Sequence, residues 1–201
     1  MRKFQLIVVL FLVSAHVVLA QEEPKEEKEQ EFFLEKPTPK WQEKLHYGGN
    51  IWLGFFGAFY VDVSPMVGFD ITNKGTVAGV GGTLIYQGTF NQGGEIMAGP
   101  RVFVRQAVWR SIFAQAEYEY INALPNRFYS SAGVTNPTTT RKWEGSPLIG
   151  AGFYQGRTRQ QKGSFIALMY NLGYLNNKGF ISPQGIGGSS SPIVFRLGFF
   201  M

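Results

Sequence analysis

The chain has 201 residues, a formal net charge of +5 and no cysteine; 44% of its residues are hydrophobic and only 16% are charged. The length suits one domain. Lack of cysteine excludes disulfides, thiolate metal sites, cysteine nucleophiles and a lipid-modified N-terminal Cys, and the low charge excludes a largely disordered polyelectrolyte.

Residues 1–20 read MRKFQLIVVLFLVSAHVVLA. Arg2 and Lys3 precede an apolar run that ends in small residues, with Val18 and Ala20 placed for cleavage before Gln21. This pattern predicts a secretory signal peptide; the alternative, a membrane anchor, is shorter than a comfortable span. Residues 21–44 carry eight Glu, five Lys and no Gly. They read as a charged periplasmic linker with one short helix from Lys25 to Leu34. Phe32, Phe33 and Leu34 would be the adhesive part if the segment binds a periplasmic partner.

All 25 glycines fall in residues 45–201. There the apolar positions recur with period two, the signature of strands with two unlike faces. Tyr47, Gly49, Ile51, Leu53 and Phe55 share one face of a first strand, and Gly48, Asn50, Trp52 and Gly54 the other. Phe59, Val61, Val63, Val67, Phe69 and Ile71 oppose Asp62, Ser64, Gly68 and Asp70. After a turn at Thr72–Gly75, Ala78, Val80, Leu84 and Tyr86 oppose Gly79, Gly81, Thr83 and Gln87. Ala98, Val102 and Val104 oppose Arg101, Phe103 and Arg105. Ala114, Ala116, Tyr118 and Tyr120 oppose Gln115, Glu117 and Glu119. A hairpin centred near Trp109 sets Arg101 opposite Glu117 and Phe103 opposite Gln115, with Glu119 and Arg105 as diagonal or next-neighbour partners. Three strands follow. In Ser146–Tyr154 the Gly-rich facing is ambiguous, with Ile149, Ala151 and Phe153 favoured on the apolar side. In Phe165–Tyr174 the apolar face is Ile166, Leu168, Tyr170, Leu172 and Tyr174. Ile193, Phe195, Leu197, Phe199 and Met201 face one way in the last strand, against Val194, Arg196, Gly198 and Phe200.

Eight strands are predicted, an even number. The second, fourth and sixth connections are roughly 4, 5 and 9 residues, and the third, fifth and seventh roughly 8, 18 and 17, so long connections gather mostly at one end, as in outer-membrane barrels. The first, around Gly57 and Ala58, is short and breaks the trend.

Two closed barrels satisfy this alternation. A soluble, lipocalin-like ligand binder in the periplasm would hide its apolar face inside. A membrane barrel would turn that face outward to lipid and keep polar groups within. The polar face holds three charges of each sign, Asp62, Glu117 and Glu119 against Arg101, Arg105 and Arg196. Such balance suits a narrow interior where ions must pair. Slipping the Arg101–Arg105 strand by one residue would place two arginines in lipid, at roughly 2–4 kcal/mol each. Tyr47, Tyr60, Tyr86, Trp109, Tyr120, Trp143 and Tyr174 stand near strand ends, where aromatic girdles sit; ordinary strand propensity explains them equally.

With YGGNIWLGF, VDVSPMVGFDI, GPRVFVR, FAQAEYEY and the closing PIVFRLGFFM, the chain resembles the small eight-stranded outer-membrane β-barrel domain family of Gram-negative bacteria, the OmpA/OmpX-like barrels. The resemblance covers about residues 46–201. It implies an all-β, eight-stranded antiparallel up-and-down transmembrane barrel in the outer membrane with its N-terminus in the periplasm. It also implies that Phe195, Leu197, Phe199 and Met201 form the C-terminal signal read by the barrel-assembly machinery. The family usually ends on an aromatic residue, whereas here Met201 follows Phe200.

No catalytic constellation emerges from the sequence, and neither a metal site nor a cofactor is expected. His46, the one histidine beyond the signal peptide, is expected to be solvated, and it lies at the periplasmic end of its strand, away from any external nucleophile. Gly79–Gly82 and Gly150–Gly152 begin no helix, so a phosphate cradle is not expected; glycines of curved strands explain them. Glu117 and Glu119 share one strand face, but their arginine neighbours point to structure rather than acid–base work. Basic residues form no patch for nucleic acid. Arg127, Arg141 and Lys142, in the external loop 124–142, are candidates to meet lipopolysaccharide phosphates, with a plain solvated loop as the alternative. The leading expectation is a non-catalytic outer-membrane protein that stabilises the envelope or presents its loops, chiefly 124–142 and 175–191. The alternatives are a narrow or gated pore and an accessory barrel of a secretion complex docked through residues 21–44.

Overall fold

Alternation does produce strands, and the strands close on themselves. β1 (Leu45–Phe55), β2 (Phe59–Thr72), β3 (Thr76–Thr89), β4 (Gln92–Trp109), β5 (Ile112–Ala123), β6 (Lys142–Gln155), β7 (Gly163–Asn171) and β8 (Ile193–Phe200) form one closed barrel in chain order. Every neighbour is antiparallel. The structure is a computed structural model and describes residues 41–55, 59–89, 92–131, 140–155, 162–184, 186, 188 and 190–201. The expected signal peptide, and the linker through residue 40 with its short helix, lie outside the described residues. The linker's last residues, Gln42–Lys44, make one 3-10 turn that leads into β1.

The period-two pattern fixes which face is which. β5 alternates exposed and buried residues along nearly its whole length. Ile51, Val102 and Leu168 are 46%, 51% and 53% exposed, while Arg101 and Glu117 are 1% and 4% exposed. The apolar face with Ile51, Val102 and Leu168 therefore points outward, and the face with Arg101 and Glu117 points into the lumen. In the Gly-rich β6, Ile149 and Phe153 point outward and Leu148 and Tyr154 inward, as the favoured facing requires.

Three apolar and polar layers fill the lumen. Near the end that holds the termini, Phe103, Phe113, Tyr154, Phe165 and Phe200 pack together. The charged residues form the middle layer. At the far end Tyr60, Ile85, Met97, Ile121, Phe128 and Phe180 form a second apolar layer, with Trp52 against it. Two of these residues arrive from the long connections rather than from strands. Connections 124–141 and 172–192 meet through a Phe128–Phe180 bridge, with Ile181 N–H donating to Arg127 C=O at 2.8 Å and Tyr129 N–H to Gly179 C=O at 3.1 Å. Their aromatic side chains cap the barrel. Tyr129 donates to the Ser191 carbonyl at 2.8 Å and packs edge-on to Tyr174 at 5.1 Å. Burial, and then the neighbouring Tyr174 and Tyr170, push its pKa up to about 12.

Several expectations need correction. The β4–β5 register is two residues away from the expected one: Arg101 pairs with Glu119, Phe103 with Glu117 and Arg105 with Gln115. The cause is a tighter hairpin, turning at Arg110 and Ser111 with Arg110 at φ 43°. A shift of two preserves the facing of every side chain. β3 and β4 extend to Thr89 and Gln92, so the third connection is much shorter than expected. β7 stops at Asn171, whose side chain accepts from Gly173 N–H and starts a 3-10 turn, Leu172–Asn176. Tyr174 therefore belongs to the cap rather than to a strand. Tyr60 lies in the lumen, 5% exposed, and is no girdle residue.

Candidate functional site

The six charged residues chosen from the sequence, Asp62, Arg101, Arg105, Glu117, Glu119 and Arg196, come together in the lumen, each 1–4% exposed. β2 supplies Asp62, β4 both Arg101 and Arg105, β5 both glutamates, and β8 Arg196. Arg196 is the hub. Its Nη1 donates to Asp62 Oδ2 at 3.3 Å and its Nη2 to Glu117 Oε2 at 3.4 Å; Nη2 also donates to Glu119 Oε1. Arg101 Nη1 donates to Glu117 Oε2 at 3.4 Å, and its Nε is ion-paired with Glu119 at 3.6 Å.

The uncharged neighbours complete the network. Ser64 Oγ donates to Asp62 Oδ1, Tyr60 OH to Asp62 Oδ2 at 3.5 Å, and Thr83 Oγ1 to Glu119 Oε1 at 3.0 Å. Gln115 links the two halves: its Nε2 donates to Glu117 while its Oε1 accepts from Arg105 Nε. Ions buried alone would cost several kcal/mol each. A pair at 3.4 Å attracts by about 5 kcal/mol at an effective dielectric near 20, which offsets part of that cost.

Arg105 is different. Among the described residues no carboxylate lies within ion-pair distance of it. Its guanidinium sits over the rings of Phe165 at 4.2 Å, Phe113 at 4.4 Å and Phe200 at 4.8 Å and donates to Tyr154 OH. Desolvated cation–π contacts of this kind contribute about 2 kcal/mol or more. This cage is legible only in part from the sequence. Phe103 and Phe200 share the polar face with the arginines, whereas Phe113 and Phe165 come from strands whose register the hairpins decide.

His46 is a correction. Rather than solvated, it is 1% exposed, with Nε2 3.1 Å from Asp70 Oδ2 and its ring edge-on to Phe200. The β1–β2 register explains this, since it sets His46 on the inner face opposite Gly68, beside Asp70.

The three basic residues expected in an external loop are bound within the chain. Arg127 Nε donates to Glu95 at 2.9 Å and its Nη1 to Gln87 at 2.6 Å. Arg141 donates to Asn122 and to the Ile96 carbonyl. Lys142 pairs with Glu144 at 2.9 Å and donates to Ser130 at 2.6 Å. They fasten the cap to β3, β4, β5 and β6. Lys142 is the first residue of β6 rather than part of the loop.

The C-terminal residues lie on the outer face of β8. Leu197, Phe199 and Met201 are exposed and Phe195 is half-buried on the same face. Met201 and Tyr47 exchange both backbone hydrogen bonds, at 2.9 and 3.3 Å.

Chemically, the lumen is occupied by itself. The cavity beside Arg196 and Glu119 has about 10 Å³, room for one water. Both glutamates and Asp62 are held by arginines. Among the described residues no three His, Asp or Glu side chains gather to hold a metal. No family model, curated protein or solved structure matches the chain.

Proposed function

We propose that this chain is a non-catalytic outer-membrane β-barrel protein with a closed lumen, its N-terminus in the periplasm and its capped end presented outside. The observation that carries this reading is the outward apolar belt. Ile51, Leu53, Val80, Val102, Ile149 and Leu168, drawn from β1, β3, β4, β6 and β7, are each 46–61% exposed. Water-soluble monomers rarely expose a contiguous apolar patch larger than a few hundred Å². Hydrocarbon around the barrel removes that cost, and the closed sheet leaves most backbone groups bonded, as a lipid-embedded barrel requires.

Aromatic placement supports the same membrane-spanning reading. Tyr47 and Trp109 are exposed near the end that holds the termini; Tyr86, Tyr120 and Trp143 are exposed near the other. Tyr120 and Trp143 stack at 5.2 Å. Two rings of amphipathic aromatics suit two membrane–water interfaces. In this reading Phe195, Leu197, Phe199 and Met201 serve first as the assembly signal and then face lipid. Arg127, Arg141 and Lys142 hold the cap in place, and only what they leave exposed would meet lipopolysaccharide.

Fractionation tests this. The protein should be recovered in the outer-membrane fraction and migrate faster on a gel before boiling than after. Recovery in the soluble periplasmic fraction would refute it.

A further inference from the structure

The barrel wall is incompletely zipped in one place. β1 and β8 pair only over Gly48–Asn50 with Gly198–Phe200, against eleven pairs between β1 and β2. Glycine permits the close approach at the zipped part: a Cβ on Gly48 would meet the Phe199 carbonyl at 2.0 Å. Toward the capped end the same register would set Leu53 against Phe195, yet those two residues do not pair. Tyr47 exchanges its backbone bonds with Met201, so alternation turns the N–H and C=O of Leu53 toward β8 as well.

A side chain stands in that gap. Gln184, from the connection after β7, gives its amide to Phe195. Nε2 donates to the Phe195 carbonyl at 2.8 Å, and Oε1 accepts from Phe195 N–H at 2.7 Å. The carboxamide thus occupies the place that a β1 residue would take. In the zipped part Asn50 is 3% exposed, and among the described residues neither its Oδ1 nor its Nδ2 has a hydrogen-bond partner; Trp52 Nε1 has none either. Trp52 packs edge-on against Phe195 at 5.1 Å. At the foot of the seam an outer groove of about 530 Å³ is lined by Ile51, Ile166, Leu197, Phe199 and Phe153.

We infer that the β1–β8 seam is a lateral binding site for an acyl-chain amphiphile with a carboxamide head. The head takes the place of Gln184 on Phe195, and the chain lies in the groove below. Gln184 is a built-in competitor that keeps the seam closed when no ligand is there. An acyl chain without a donor–acceptor head would leave the backbone groups of the seam unsatisfied in an apolar surrounding, which costs free energy. The inference rests on the outer face meeting lipid. Its test therefore uses detergent micelles, where binding is read independently of cellular location.

The full-length protein with Trp41, Trp109 and Trp143 replaced by Phe keeps Trp52 as the reporter. A brominated primary fatty amide is titrated in, and the methyl ester of the same chain length serves as control, since it accepts but cannot donate. The amide should quench Trp52 with an affinity about tenfold above the ester, the difference made by one or two hydrogen bonds. Gln184→Ala, checked for an intact barrel by its unboiled gel migration, should bind the amide about tenfold more tightly because the internal competitor is gone. Equal binding of amide and ester would overturn the assignment, as would an affinity unmoved or weakened by Gln184→Ala. Displacement of the amide by a peptide with the sequence of β8 at equal or lower concentration would overturn it in favour of strand addition at this edge.

Discussion

Arg196→Met is the sharpest probe of the lumen. It keeps the stem's bulk and removes the one cation shared by three carboxylates, Asp62, Glu117 and Glu119. The three are not left equal. Glu117 and Glu119 retain Arg101 at 3.4 and 3.6 Å. Among the described residues Asp62 retains only the hydroxyls of Ser64 and Tyr60, so one buried carboxylate loses the ion pair that Arg196 supplies. Breaking a buried pair in this way costs about 3–5 kcal/mol. Adding Asp62→Asn removes the orphaned charge and should return roughly half of that loss, a coupling of about 2 kcal/mol between positions in direct contact. Urea unfolding in detergent micelles, followed by tryptophan emission, measures all four corners of the cycle. A single variant within about 1 kcal/mol of wild type, or strictly additive effects, would refute the claim that Arg196 holds the middle layer together.

Val102→Arg, at a position 51% exposed on the outer face, should cost roughly 2–4 kcal/mol for folding into phospholipid vesicles and lower the yield of inserted protein. An unchanged yield would argue against a lipid-facing belt. Phe128→Ala should destabilise the cap by about 3–5 kcal/mol, since its ring is wholly buried beside Phe180; loop proteolysis of the folded protein reads this directly, and unchanged cleavage would contradict it. Wild type in planar bilayers should carry no steady large current. The pair Phe128→Ala and Phe180→Ala should stay closed too, because the ionic layer and the Phe113, Phe165 and Phe200 layer still fill the lumen. Steady conductance from that double variant would show that the cap alone is the barrier.

That these charges share one face was readable because period two leaves no freedom. Once Val102 and Val104 face one way, Arg101, Phe103 and Arg105 must face the other. Which charge meets which was not readable. Moving the β4–β5 turn to Arg110–Ser111 exchanges every cross-strand partner without moving any side chain to the other face. That is why Arg101 faces Glu119 rather than Glu117. Arg196 as hub was equally hidden, since it reaches Asp62 across 134 positions in sequence and nothing local in β8 announces that contact. Gln184 was missed because it sits in a connection with no periodicity to read. His46 was misjudged because a lone histidine gives no signal of burial until a strand register places it.

Alternation by itself determined eight strands, each with one polar and one apolar face, because a strand's side chains are bound to opposite faces by backbone geometry; which face lines the lumen it left open. Tertiary structure alone decided the depth at which each inner residue lies, the ring of phenylalanines around Arg105, the descent of Phe128 and Phe180 into the far mouth, and the gap beside Leu53. Those features depend on turn lengths and on how a curved sheet closes. Closure is a property of all eight strands at once, and no window of sequence contains it.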